Sequence, residues 1–330
     1  MPVSSPLTVS VIIPIHRGGK DFEQCLEAVA ATTWHPHEII IVADGGMAGT
    51  PYPDPSLQAV VIETRNRNGP ARVRNVGAQK AIGDILFFFD ADVAIRPETI
   101  RKVVETFSAS PELAALIGSY DDRPAKSNFI SQYRNLLHHH VHQTGREEAS
   151  TFWSGCGAIR REIFLKMGGF DESCVDRIED VDFGFRLKKA GHSIRLCKEI
   201  QVKHLKRWSA GSMLRTDFFQ RAIPWTELIF REHRMPNDLN TDTTGRLSVV
   251  LIFMLLATLL AALWRPAFLK GTFFIAVFLA SLNWPLYRFF QNQRGSWFAL
   301  KVVPWHWLYF FYSGLAFGIG MVRFFVARND

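Results

Sequence analysis

Acidic side chains almost vanish from the last quarter of this chain. Of its 31 Asp and Glu residues only Asp330 lies beyond position 245, whereas eight of its 38 Lys and Arg residues do. The first 245 residues therefore carry 30 charges of each sign, and the net charge of +7 belongs to an apolar tail. A balanced first part offers no nucleic-acid face. Basic residues around apolar runs read instead as membrane-flanking charge. Cysteine is also sparse. Cys25, Cys156, Cys174 and Cys197 include no pair at zinc-site spacing, so a reduced, cytosolic compartment is expected. No charged stretch with a long apolar core opens the chain. Residues 1–6 lead into a strand, so no signal peptide is expected and the first domain should stay in the cytosol. The first strand is followed by PIHRGGKDF rather than G-x-G-x-x-G, which argues against a dinucleotide-dependent oxidoreductase.

What the sequence does contain is organised around residues 83–96, GDILFFFDADVAIR. The apolar run 85–89 suits a strand buried on both faces. It ends on Asp90 and Asp92. In an extended segment residues i and i+2 point the same way, so the two carboxylates should converge at the carboxyl end of the strand, where open α/β sheets bind ligands. Paired hard oxygens suit a divalent metal, Mg²⁺ or Mn²⁺, arriving with substrate phosphates. A solvated turn is the plain alternative.

With 330 residues the chain is long enough for one large or two ordinary domains. Residues 8–15, 38–43 and 59–64 read as strands, separated by helices at 21–32, with Asp21 as N-cap, and at 69–81. A further helix spans 97–109, with Pro97 in its first turn. This β-α-β alternation implies a parallel, doubly wound sheet. His16, Asp44, Asp90 and Asp92 should share one rim. A short strand at 116–119 precedes a polar, partly helical stretch, 121–150, with His138, His139, His140 and His142. Two of these, at i and i+4, could bind metal, but with no nearby carboxylate a polar or acceptor-facing patch is preferred. Residues 151–160 are small and glycine-rich and lead into a helix at 161–167. Asp176, Glu179, Asp180 and Asp182 cluster at the start of a helix ending at Gly191, either as dipole-complementing acids or as a site. Short strands follow at 193–197 and 200–202, with His204 just beyond.

Residues 212–236 form an aromatic, basic, amphipathic stretch interrupted by Pro224, expected to lie on a bilayer surface with Arg221 and Trp225 as candidate substrate contacts. Residues 247–264 carry no charge and are long enough to span a membrane. Residues 271–287, weakened by Asn283 and Pro285, and 302–322, with His306 inside, are further candidates. The expected division is a cytosolic domain at 1–210, an interface segment at 211–245 and two to three spans at 246–330. Three spans put the C-terminus outside. A re-entrant second segment puts both ends inside.

Five segments in order resemble the inverting family-2 glycosyltransferases of GT-A fold. VSVIIPIH resembles that family's opening strand. IIIVADGG resembles its IVVDDGS stretch, with Ala43 in place of the first Asp. NGPARVRNVGAQKAIGDILFFFDADV resembles its N-x-G-x-x-x-A-R-N-x-G…FLDADD region. SGCGAIRREIFLKMGGFDE and EDVDFGFRLKKAG resemble its acceptor segment and its E-D motif. The resemblance runs over residues 9–208 and implies a GT-A type doubly wound mixed sheet with a Rossmann-like nucleotide-binding half. It implies that Asp44 contacts the nucleotide base and that Pro14 and Arg74 lie in segments lining the nucleotide pocket. By the same resemblance Asp90 and Asp92 are the Asp-x-Asp pair, with Asp92 on the metal, Gly155 belongs to the acceptor segment, Asp180 is the general base with Glu179 beside it, and His204 completes the metal or diphosphate site. Ala43 leaves the nucleotide open between UDP and GDP. The Q-x-x-R-W of processive synthases is not matched by QRAIPW at 220–225, which favours single sugar transfer.

The expected protein is thus an integral membrane glycosyltransferase, in the inner membrane if bacterial. It would use a nucleotide-sugar donor, a divalent metal and a lipid-linked or glycolipid acceptor. A metal-dependent nucleotidylyltransferase would share the aspartates but need a glycine- and lysine-rich opening loop. A non-catalytic membrane scaffold would follow if the acids do not converge.

Overall fold

The computed structural model describes residues 6–50, 52–174, 178–233 and 235–326. Asp176, one of the four clustered acids, lies outside them. The chain divides into two compact units, Met1–Trp208 and Ser209–Asp330.

The first unit is one eight-stranded sheet with helices on both faces. Its strands are β1 (Val9–Ile15), β2 (Glu38–Ala43), β3 (Val60–Glu63), β4 (Ile85–Phe89), β5 (Val93–Ala94), β6 (Ala115–Tyr120), β7 (Cys156–Arg160) and β8 (Ile194–His204), in the order β3-β2-β1-β4-β7-β6-β8-β5. Neighbouring pairs among β3, β2, β1 and β4 are parallel. The parallel expectation ends there, because β7 runs antiparallel to both β4 and β6. The sheet is therefore mixed.

Side chains alternate along β4. Phe87 and Phe89 face a core built with Phe22, Cys25 and Val29 of α1 (Lys20–Ala30) and Ile100, Val103 and Phe107 of α3 (Thr99–Ala109). Phe88 points to the other face, where its ring meets those of Phe152, Phe164 and Phe170, and Phe183 closes the cluster. Two aromatic cores, one per face, make this strand apolar throughout. The helix α2 (Pro70–Lys80) follows β3, and α4 (Phe129–Thr144), α5 (Arg161–Lys166) and α6 (Glu179–Lys189) complete the unit.

Several local expectations change. Gly19, not Asp21, stands at the N-cap of α1, and α3 begins at Thr99, two residues after Pro97. The segment 151–160 contains β7, whose Gly157 sits between Phe88 and Ile117; small residues hid its strand pattern. The two short strands at 193–202 are one strand, β8. Polar Lys198 and Glu199 mark a register shift opposite residues 117–119 rather than a strand end.

The second unit opens with α7 (Ala210–Asp217), a π-helical turn (Phe218–Ala222) and α8 (Ile223–Arg231). Pro224 does not break this segment. It sits in the first turn of α8, where its missing N–H is tolerated. Among the described residues, two helices are long and apolar enough to cross a membrane, α9 (Thr243–Ala261) and α12 (Ser296–Val326). The intervening candidate is two helices, α10 (Phe268–Leu282) and α11 (Trp284–Arg294), bent by 63°. At the bend the Asn283 side chain donates to Ser248 Oγ and to the Leu279 carbonyl, both at 2.9 Å.

Candidate active site

Strand ends of the first unit supply the rim. His16 Nδ1 donates to the Asp44 carbonyl at 2.9 Å, which joins the ends of β1 and β2. Asp44 is buried, and its carboxylate accepts the backbone N–H groups of Asn68 at 2.6 Å and Gly69 at 3.1 Å. It thereby fixes the loop that delivers α2. Pro14, half-buried near the end of β1, pairs with Val42 beside it.

The extended-strand geometry expected for Asp90 and Asp92 does not form. Val93 N–H donates to the Asp90 carbonyl at 3.0 Å, so residues 90–93 make a turn. The two carboxylates meet different partners. Asp90 takes Arg74 at 2.6 Å, whereas Asp92 Oδ1 lies 3.8 Å from His204 Nε2. Backbone pairing holds the second contact in place: β5 and β8 align Val93 with His204, and Leu205 N–H donates to the Asp92 carbonyl at 2.8 Å. The His204 ring stacks on Tyr120 with centroids 4.4 Å apart.

Burial, and then the neighbouring Asp90 charge, push the Asp92 carboxyl up to about 6, against an opposing pull from Lys206. A carboxylate held reluctantly ionised beside an imidazole suits a divalent cation, which would relieve the repulsion. Two protein ligands are few for such an ion, but hard cations in phosphate sites commonly take their remaining ligands from substrate and water. Among the described residues one other group brings three potential ligands together, Asp171, Cys174 and Asp182. There Asp171 already accepts from the N–H and hydroxyl of Ser173, and Asp182 pairs with Arg186 at 2.8 Å.

Arg74 lies beneath the rim rather than on it. Its guanidinium is buried and forks, with Nη1 on Glu179 Oε1 and Nη2 on Asp90 Oδ1, each at 2.6 Å. The Asp-x-Asp segment and the first residue of α6 are thus tied through one cation. The next residue of the motif works in the same structural way. Asn75 donates to the Phe170 carbonyl at 2.8 Å and accepts its N–H at 2.9 Å, pinning the turn before α6.

Burial raises the Glu179 carboxyl to about 7; Arg74 opposes this and Asp180 adds to it. Glu179 Oε2 is buried without a hydrogen-bond partner among the described residues. Asp180 is half-buried. Its Oδ2 accepts from the N–H and hydroxyl of Ser154, at 3.1 and 3.0 Å. Neither acid occupies the N-cap position of α6, which is Ile178, but Asp180 Oδ1 accepts the Val181 N–H at 2.8 Å within the first turn.

Two glycines make this arrangement possible. A Cβ on Gly155 would come within 2.7 Å of the Trp153 indole, so Gly155 seats that ring beside Ser154. A Cβ on Gly184 would collide with the backbone of Thr151 and Phe152, so α6 approaches the 151–154 segment as closely as it does only with glycine there. Trp153 packs with Tyr120 and His138 into one aromatic group. His139 and His142 are buried, with Nδ1 on the carbonyls of Tyr120 and Gly118. They hold α4 against β6 and do not form the polar patch expected of them. Arg221, in the π-helical turn, and Trp225, in α8, belong to the second unit.

Sequence reading missed Ser154, whose only signal was its place in SGCGAIR, and Lys206, which acts on Asp92 from four residues beyond the expected strand end.

The glycosyl transferase family 2 model matches residues 10–168. An uncharacterised glycosyltransferase of Haemophilus influenzae is 27% identical over 186 residues, covering 54% of this chain and 61% of the relative. A glucosyl-dolichyl phosphate glucuronosyltransferase of Haloferax volcanii is 26% identical over 163 residues, covering 46% and 51%. An O-antigen chain rhamnosyltransferase of Salmonella typhimurium is 21% identical over 240 residues, covering 68% and 76%. The chain therefore spans just over half the length of the first two. Among solved structures, a mannosyltransferase of Pyrobaculum calidifontis in complex with GDP-Man and Mn²⁺ superposes with a TM-score of 0.56 at 15% identity, covering 98% of this chain and 88% of that one. That likeness identifies the GT-A fold.

Proposed function

We propose that this chain, a glycosyltransferase that belongs to family 2 through residues 10–168, moves one sugar from a UDP- or GDP-sugar to a lipid-linked acceptor at a membrane, with inversion. The observation that carries this proposal is the Asp90–Arg74–Glu179 bridge, which places the acidic end of β4 and the acidic start of α6 around one buried cation.

Asp44 and Pro14 border the nucleotide pocket, and Asp92 with His204 would hold a Mg²⁺ or Mn²⁺ ion. Such an ion would supply positive charge against the charge developing on the leaving diphosphate. The acceptor oxygen attacks the anomeric carbon as the bond to the diphosphate breaks. Asp180 accepts the proton of the acceptor hydroxyl, with Ser154 fixing the carboxylate's orientation. Glu179, buried on Arg74, positions Asp180. Gly155 acts through the Trp153 indole that it seats.

Support for a lipid acceptor comes from the two helices long enough to cross a membrane and from the relative that acts on glucosyl-dolichyl phosphate. The metal is in keeping with the Mn²⁺ bound by the mannosyltransferase of the same fold. The first unit would lie in the cytosol.

Incubating membranes that contain the protein with a panel of labelled nucleotide-sugars, then extracting lipids, tests this function. Label in the lipid fraction from one donor, absent with Asp180→Asn, is expected. Label in water-soluble sugar alone would overturn the lipid acceptor.

A further inference from the structure

The second unit contains a groove that nothing in the proposed chemistry uses. Leu214, Phe218 and Phe219 form one wall, and Leu308, Phe311 and Tyr312 of α12 form the other. Arg215 is the one charged residue lining it. That side chain is exposed and has no ion-pair partner among the described residues. The neighbouring acid does not neutralise it: Asp217 is buried and accepts from Tyr312 Oη at 2.9 Å, which locks the groove's floor.

The backbone there is unusual. Phe218 and Phe219 open the π-helical turn. Such turns are rare and occur frequently at functional sites. Phe219 is 58% exposed, a large apolar surface set beside a lone cation. The opposite wall belongs to a helix long and apolar enough to cross a membrane.

We infer that this groove binds the phosphate-linked isoprenoid chain of the acceptor, with the first apolar units between Phe219 and Phe311 and the phosphate at Arg215. The inference rests on the lipid-acceptor reading and names the part of the chain that grips the lipid. A guanidinium matches phosphate geometry and charge. The remaining lining offers only apolar contact, which suits a hydrocarbon chain and not a sugar.

The test uses the full chain in nanodiscs with a diazirine-bearing isoprenoid phosphate as probe. Photolabelling should map to Leu214, Phe219, Leu308 or Phe311, and unlabelled isoprenoid phosphate should compete while phosphatidylglycerol should not. Arg215→Gln should raise the acceptor KM about tenfold or more, the loss expected for a charge-assisted contact, with donor KM unchanged. Leu308→Trp, which fills the groove, should do the same without altering donor hydrolysis. Transfer to isoprenoid lipid with an acceptor KM that neither variant moves would overturn the groove and leave the lipid-acceptor reading standing. Equal competition by phosphatidylglycerol would make it a general bilayer-lipid site and overturn the assignment. Transfer to no isoprenoid lipid at all would remove both.

Discussion

Arg74 and Glu179 lie 105 positions apart in sequence and form a 2.6 Å ion pair with both side chains about 5% exposed or less. The other prong of Arg74 holds Asp90, so one side chain spaces the two acidic segments of the site. Removing one partner of a buried pair leaves uncompensated charge, at a cost of about 3–5 kcal/mol. Arg74→Ala should therefore destabilise the fold by that order in chemical denaturation. Arg74→Lys keeps the charge but not the fork. It should fold and transfer sugar poorly, with donor binding retained.

Glu179 gives stability a definite pH dependence. Its folded carboxyl titrates near 7, above its ordinary 4.5. The folded state therefore holds more protons than the unfolded state between those values, and stability falls as pH rises through the window. Glu179→Gln should flatten that fall in a series of denaturation midpoints from pH 4.5 to 7. A slope unchanged by the substitution would contradict the assigned burial.

Asp92 titrates near 6, so a proton competes with metal there below that pH. More Mg²⁺ or Mn²⁺ should be needed for half-maximal transfer at pH 5.5 than at pH 7.5. Chelation should abolish transfer and metal should restore it. Asp92→Asn should keep the fold and lose most activity. Full turnover in excess chelator would remove the metal from the mechanism.

Glycine inside a helix costs about 0.5–1 kcal/mol relative to alanine, yet Gly184 sits in the middle of α6. Its missing Cβ lets the helix reach the 151–154 segment. Gly184→Ala should destabilise the domain despite its better helix propensity, and should lower transfer by displacing Asp180 from Ser154. A stabilised, fully active variant would show that the close approach is dispensable.

Much of this site was legible in the sequence because its signals are local. The runs at β1, β2 and β4 are apolar on both faces, and His16, Asp44 and Asp90 follow them directly. Asp44, Asp90 and Asp92 stand out for this reason, whereas the roles expected of Asp180 and His204 come from the family resemblance. What the sequence hid depends on long-range pairing. The β7 strand is glycine-rich and looks like a loop until Phe88 and Ile117 flank it. Arg74 reads as a pocket residue near a helix start, and only the folded chain shows Glu179 beneath it. The Asp90–Asp92 spacing predicts strand geometry, but a hydrogen-bonded turn sends each carboxylate to its own partner. The histidine run suggested a polar face because its hydrogen bonds to β6 carbonyls have no sequence signature.

The most direct test of the central claim is transfer by Asp180→Asn at saturating donor. Asparagine retains an oxygen for the two Ser154 donors, gives up the Oδ1 that accepts the Val181 N–H at 2.8 Å, and cannot take the acceptor's proton. The expected result is a retained fold with only slightly lowered melting, near-normal donor binding and transfer lowered by about 10²–10⁴-fold, with Glu179→Gln milder. Wild-type transfer by Asp180→Asn would contradict it and move the search for the base to Asp182.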